Sequence, residues 1–306
     1  MSTDPNAPTQ PSARQIPPVW DGKTVPIRTV SAPRKRRVPL SGVAFGILAG
    51  LLLGAYLLAP FRINLLLLGI DRAPEGTVVA RSDTVVLLTA RPLQGSVGML
   101  SIPRDLWVEV PGYGPNRINA AHALAESEAP GMGPEWTLRT VRSNFGIDVY
   151  SYARIQFNGL SRFIDALGGL DIDLPQATAL YPAGENHLTG EQALALVRDR
   201  QGSDDFARME RGQLFLKAVL RQALRPATWP RLVVALPLLL GVVDSNLPLW
   251  DWPRLAVAVL RAGADGLDAR TITREMVDPF TTAGGANVLA PNWALINPVL
   301  LEMFGQ

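Results

Sequence analysis

From Val38 to Phe61 the chain reads VPLSGVAFGILAGLLLGAYLLAPF, 24 residues without a charge. An apolar centre of about 20 residues is long enough to cross the hydrocarbon of a bilayer as one helix. A cleavable signal peptide would have a shorter apolar region, a short basic start and a small-residue cleavage site, whereas Met1 to Arg37 precede this run. A retained transmembrane anchor over 38–60 is therefore expected. Arg34-Lys35-Arg36-Arg37 stands at its start, and the positive-inside rule then places 1–37 in the cytoplasm and the chain after residue 60 outside it. Headgroup attraction is a second use of the same basic run, and a nucleic-acid patch a third. Gly42, Gly46, Gly50 and Gly54 recur every four residues. They form a small-residue stripe on which a second copy could pack, although glycine is common in membrane helices in any case.

Charge divides the chain at the same place. Met1 to Pro39 holds seven basic residues against Asp4 and Asp21, a net +5, so with the whole chain at +2 the remainder carries −3. No global field draws the folded part to DNA or RNA. The tail also carries eight prolines, from Pro5 to Pro39, and reads as a disordered, basic, proline-rich segment that builds no core. The absence of cysteine excludes disulfides, thiolate nucleophiles and cysteine-ligated metal centres.

Beyond the anchor, strands alternate with helices. INLLLLGID (63–71) is a continuous apolar run suited to a strand buried on both faces, and TVVLLTA and SVGMLSI share that character. Helical spacing follows in PEWTLRTVRSNFG and in FNGLSRFIDALGG, the latter closing on Gly168-Gly169, with strands DVYSYARIQF and LDIDLP around it. TGEQALALVRDR and FARMERGQLFLKAVLRQAL are two further helices. The expected fold class is α/β: a layered α/β/α domain with a central mixed β-sheet over 61–306, preceded by one transmembrane helix. RLVVALPLLLGVV is too short and too interrupted by Pro237 for a second span and reads as a core helix. TITREMVD reads as a late strand before a Gly/Pro-rich ending.

Ligands of open α/β sheets gather at strand ends. Asp71 closes the first strand, Asp83 stands just before the next begins, and Arg104 and Asp105 follow the third in SIPRD. Two carboxylates at such junctions suit a hard divalent cation such as Mg²⁺ or Mn²⁺, though caps and turns use aspartate more often. Between Ala195 and Gln213 four arginines, Arg198, Arg200, Arg208 and Arg211, are crowded among Asp199, Asp204, Asp205 and Glu210. A salt-bridged helix start capped by Asp204 or Asp205 accounts for part of this. Surface pairs are worth too little to explain all of it, and arginine forks match phosphate oxygens, so a diphosphate is the anion that best fits.

Together the segments NLLLLGIDR, ARSDTVVLLTA, LSIPRDLWVEVPGYG, RINAAHA, FNGLSRFIDALGGLDIDLP, ENHLTGEQALALVRDR and DDFARMERGQ resemble, in this order, the LytR-CpsA-Psr family of envelope proteins over residues 63–224. The resemblance implies an α/β sandwich whose pocket holds the polyprenyl chain of a lipid-diphosphate-linked glycopolymer. It implies a phosphotransferase that moves the glycan phosphate to a peptidoglycan hydroxyl. By motif, Asp71 and Asp83 would hold Mg²⁺, and Arg104, Arg200 and Arg208 would grip the diphosphate. Arg72, Arg117, Arg198, Asp205, Arg211 and Gln213 would line or brace the site. Gly212 stands where the family usually carries glutamine, and the chain after about 225 follows the family more weakly.

The acceptor hydroxyl needs a base, for which Asp83 and Asp105 are candidates, although a metal ligand has its pKa lowered and makes a poor one. His122 and His187 have no partners in sequence for a Ser-His-Asp triad, and no GxxxxGK[ST] loop for nucleotides occurs. A pyrophosphatase passing the same substrate to water is the alternative enzyme. A non-enzymatic regulator, as the family's older label of transcriptional attenuator suggests, is the alternative outside enzymes.

Overall fold

A computed structural model describes residues 40–70, 82–199, 205–263 and 266–305. The chain divides into two compact units, 1–48 and 49–306. The described part of the first is the beginning of helix α1 (Leu40–Leu57), which continues into the second. Among the described residues no helix is long and apolar enough to cross a membrane. The 18 residues of α1 extend about 27 Å, and Val38 and Pro39, which open the uncharged run, lie outside the described residues with 1–37.

The second unit is built around three long apolar strands, β1 (Ile63–Ile70), β2 (Ser82–Arg91) and β3 (Ser96–Ile102). After them come β4 (Trp107–Val110), β5 (Gly114–Arg117), α2 (Ala120–Glu128), α3 (Gly133–Phe145), β6 (Ser151–Gln156) and α4 (Phe157–Leu167). The hairpin β7 (Leu170–Leu174) and β8 (Gly184–Leu188) leads to α5 (Gly190–Arg198), α6 (Asp205–Leu224) and α7 (Trp229–Leu240). The chain ends with β9 (Val243–Ser245), α8 (Asp251–Ala262), β10 (Leu267–Thr271), the hairpin β11 (Val277–Thr281) and β12 (Asn287–Pro291), and α9 (Trp293–Phe304).

Six strands form the central sheet in the order β10-β3-β2-β1-β6-β9. It is mixed: β1 runs antiparallel to β2 and parallel to β6, and β3 runs parallel to β10. The continuous apolar runs follow from cover on both faces. Leu66, Leu68, Val85, Leu87, Leu100 and Ile102 pack under α3 and α9 through Leu138, Val141, Ile296 and Leu300. On the opposite face Leu65, Val86, Leu88, Val97 and Met99 meet α8 through Ala258 and Leu255, and α6 through Leu216 and Leu220. Burying each such leucine or valine contributes about 1.5–3 kcal/mol. A third cluster joins α4, α5, α6 and β7 through Phe163, Ile164, Leu170, Leu196 and Phe215. In α4, Gly168 takes the left-handed C-cap at φ 93°, a conformation that any side chain would strain.

Two expectations are corrected here. RLVVALPLLLGVV does form a helix, α7, but not a core one: only Ala235 is buried, while Val233 is 75% and Val234 69% exposed. The helix meets α4 along one side, and its apolar composition exceeds what that one side can bury. TITREMVD is not one strand. Thr271 ends β10, Arg274–Met276 make a 3-10 turn, and Val277 starts a separate hairpin. The Gly/Pro-rich ending contains that hairpin's turn and helix α9.

Candidate functional site

Strand β3 ends at Ile102, and the turn after it carries Arg104 and Asp105 just beyond its carboxyl end. Asp83 lies in β2, its second residue rather than the loop before it, and Asp205 is the first residue of α6. These three elements converge on one guanidinium. Arg104 meets Asp83 Oδ1 at 3.0 Å through Nη1, Asp205 Oδ1 at 3.0 Å through Nη2, and Asp105 Oδ2 at 3.4 Å through Nε. Arg208, one turn into α6, shares Asp205 Oδ1 at 3.2 Å. Arg117, at the end of β5, approaches Asp105 Oδ1 at 3.2 Å and donates to the Asn287 carbonyl at 2.8 Å.

Burial opposes the charge on Arg104, but Asp205, Asp105 and Asp83 together hold its pKa above the ordinary value. Burial, reinforced by a hydrogen bond to Asp205, pushes Asp105 above the usual carboxylate range against the pull of Arg104 and Arg117. The buried Nε atoms of Arg104 and Arg117 make no hydrogen bond despite their proximity to Asp105.

Two cavities reach this corner. The first, about 160 Å³, is lined by Asp83, Arg198 and Arg208 at its polar side and by Val85, Ile102, Phe157, Val197 and Met209 at its apolar side. Arg198 lies over the Phe157 ring at 5.8 Å. The ring sits close to the sheet because β1 has glycine opposite it: a Cβ on Gly69 would fall 2.6 Å from Phe157 Cζ. Gly212 of α6 faces the same cavity, and a Cβ there would meet nothing within 4 Å. The second cavity, about 520 Å³, lies between the start of α6 and the β11–β12 hairpin, and both Asp105 and Asp205 belong to its wall.

Other residues expected at the site hold it from behind. Arg211 is buried and donates to the Asp199 carbonyl at 2.6 Å, tying the end of α5 to α6. Gln213 donates to Ser101 Oγ at 3.0 Å and to the Arg270 carbonyl, fastening α6 to β3 and β10. Asp71, Arg72 and Arg200 lie outside the described residues, as does Asp204. Neither histidine joins the corner: His122 is buried beside Glu126 at 3.8 Å, and His187 pairs with Asp171 at 2.6 Å in the β7–β8 hairpin.

A divalent cation fits the chemistry of Asp83, a hard oxygen donor at the polar end of the first cavity. Among the described residues no group of three His, Cys, Asp or Glu side chains could hold a metal, so its shell would need Asp71 and ligand oxygens. The second cavity escaped sequence reasoning. The GG turn at Gly284-Gly285 between two short β-prone segments was the signal that could have revealed its hairpin.

The chain matches the model of the LytR_cpsA_psr family over residues 60–291. It is 35% identical over 167 residues to the polyisoprenyl-teichoic acid–peptidoglycan teichoic acid transferase TagU of Oceanobacillus iheyensis, covering 53% of this chain and 51% of that protein. It is 29% identical over 195 residues to regulatory protein MsrR of Staphylococcus aureus, covering 61% and 57%. The chain thus spans about half the length of the curated relatives it matches. Among solved structures it shares its fold with Bacillus subtilis TagV at a TM-score of 0.65 and 24% identity, over 80% of this chain and 98% of that one. TagT bound to LIIa-WTA superposes at 0.62 and 22% identity, over 80% and 91%.

Proposed function

The chain belongs to the LytR-CpsA-Psr family, and on that premise we propose that it is a phosphotransferase of envelope assembly. It moves a glycopolymer phosphate from a polyprenyl-diphosphate carrier to a peptidoglycan hydroxyl. The observation that carries this reading is the Arg104 corner, where arginines and carboxylates from β2, β5, α6 and the turn after β3 meet at the mouth of a partly apolar cavity. At about 160 Å³ this cavity is smaller than the roughly 300–1,000 Å³ of an ordinary ligand pocket, so it suits the diphosphate and the first stretch of chain.

In the reaction the acceptor oxygen forms a bond to the phosphorus that bears the glycan. The bond from that phosphorus to the bridging oxygen breaks, and lipid monophosphate departs with the electron pair. Arg104 and Arg208, with Arg200, neutralise charge on the departing phosphate, where phosphoryl transfer needs it most. Asp105 takes the hydroxyl proton: it borders the site, and its raised pKa makes it a better base than a free carboxylate. Asp83 and Asp71 would hold Mg²⁺ or Mn²⁺, which when bound supplies further charge neutralisation to the diphosphate.

The uncharged segment 38–60 anchors the chain in the membrane with 1–37 inside and the α/β unit outside. The small-residue stripe of Gly42, Gly46, Gly50 and Gly54 would let a second copy pack closely against this run. A lipid-linked glycopolymer incubated with the full chain in detergent should label added peptidoglycan. Release of glycan phosphate into water at the same rate without peptidoglycan would make the protein a pyrophosphatase, and no consumption of the lipid would end the enzyme reading.

A further inference from the structure

The donor side leaves the second cavity unexplained. Its two sides carry aromatic rings: Phe206 at the start of α6, with the Arg274 guanidinium 5.3 Å from its centre, and Phe280 of β11, held edge-on by Trp107 at 6.1 Å and 90°. Thr281 donates to Asn287 Oδ1 at 2.9 Å on the same wall, and Asp105 and Asp205 close one end. A ring flanked by an amide, a hydroxyl and carboxylates matches a sugar, whose carbon–hydrogen face packs on the aromatic and whose hydroxyls donate to the oxygens. The two carboxylates are balanced by Arg274 on the same wall and by their pairs with Arg104, Arg117 and Arg208, so no strong net field selects for a charged polymer there. A neutral glycan is not penalised.

Position makes the match specific. Asp83 and Arg208 border the first cavity, Asp105 and Asp205 the second, and Arg104 is paired to carboxylates on both sides. Displacement at phosphorus requires the nucleophile and the leaving group to lie roughly in line on opposite sides.

We propose that the cavity between α6 and the β11–β12 hairpin is the acceptor subsite, binding a neutral glycan strand so that one hydroxyl faces Asp105. The proposal rests on the transferase reading above for its reaction, but not for its binding. The hydroxyl oxygen enters from this cavity, its proton passes to the Asp105 carboxylate, and the lipid monophosphate leaves on the side of the first cavity.

Calorimetric titration of the full chain in detergent, with a chito-oligosaccharide in one series and a short-chain polyprenyl diphosphate in another, tests it. Phe280 is 38% exposed, so Phe280→Ala should keep its fold, which a melting curve checks. The glycan affinity is expected to fall about tenfold in Phe280→Ala and to return in Phe280→Tyr, with the lipid diphosphate affinity unchanged in both. Equal glycan affinity in wild type and Phe280→Ala, or no glycan binding by the wild type, overturns the subsite whatever the donor titration gives. A wild type that binds the glycan through Phe280 but neither binds nor consumes the lipid diphosphate keeps the subsite and removes the transferase reading.

Discussion

Two arginines, Arg104 and Arg270, each gather acidic partners beside β3, and they do so differently. Arg270, on β10, holds both oxygens of Glu302 on α9 at 2.7 Å and Asp268 at 2.9 Å. Its hydrogen bond to Glu302, ahead of that to Asp268, raises its pKa well above the ordinary value. That is a closed fork-to-fork clamp, with its hydrogen-bonding capacity spent on fixing a helix to a sheet edge. Arg104 spreads its three nitrogens over three carboxylates from three elements, at 3.0 to 3.4 Å, and leaves its buried Nε without a hydrogen bond. An arginine whose partners are scattered, single-oxygen and next to a cavity can exchange them for phosphate oxygens. A bidentate clamp in solvent gains nothing by exchange.

The largest expected effect comes from removing each arginine in turn. Arg104→Ala should lower turnover about 100- to 1,000-fold, the range for losing one preorganised group that stabilises developing charge. It should also lower the melting temperature, since Asp83, Asp105 and Asp205 then lose the one cation they share. Arg270→Ala should leave turnover unchanged and move the melting temperature little, as exposed ion pairs do. If the two variants lost turnover equally, the contrast between clamp and site would collapse.

Much of the frame behind this contrast was legible. Strands β1, β2 and β3 announced themselves as unbroken apolar runs because both faces are covered, and α4 declared its end through Gly168. The family resemblance, residue by residue, also assigned Asp83, Arg104, Asp205 and Arg208 to one site. What the sequence lacked was the pairing: Arg104 and Asp205 are 101 positions apart in the chain but 3.0 Å apart in space. The β11–β12 hairpin was missed because its strands are five residues each, β11 mostly exposed and β12 mostly half-buried, with no alternation to mark a buried face. For α7 the error ran the other way, since composition cannot say whether the second side of an apolar helix has anything to pack on.

Gly212 sharpens the contrast at a smaller scale. Glycine inside a helix costs about 1 kcal/mol relative to alanine, and no neighbour forces it here, because a Cβ would point into the open first cavity. Room for ligand is the remaining use of the missing side chain. Gly212→Trp, a side chain far larger than the glutamine usual in the family, should therefore raise thermal stability slightly while weakening polyprenyl-diphosphate binding about tenfold, as titration and melting curves would read. Tighter binding in the variant would mean that the ligand does not pass α6 at this point.

The smallest effect is a shift in pH dependence at Asp105. Burial first, then the hydrogen bond and charge of Asp205, raise its pKa, while Arg104 and Arg117 act against them. A base must be deprotonated to work, so turnover should fall as pH drops through that raised value. Stability runs in the opposite sense across the same window. The folded chain favours the protonated carboxyl, so this group's contribution to stability is full below about 3.9, the ordinary aspartate value, and is lost as pH rises through the raised one. In Asp205→Asn the amide keeps the shape, donates to the Asp105 carboxylate and removes a neighbouring charge, each of which favours the ionised form. The acid limb of the pH–rate profile should then move to lower pH, and the window in which stability declines should narrow with it. An acid limb that stays where it was in Asp205→Asn, while Asp105→Asn is still active, would assign the proton to another group and leave Asp105 as a partner of Arg104 and Arg117 alone.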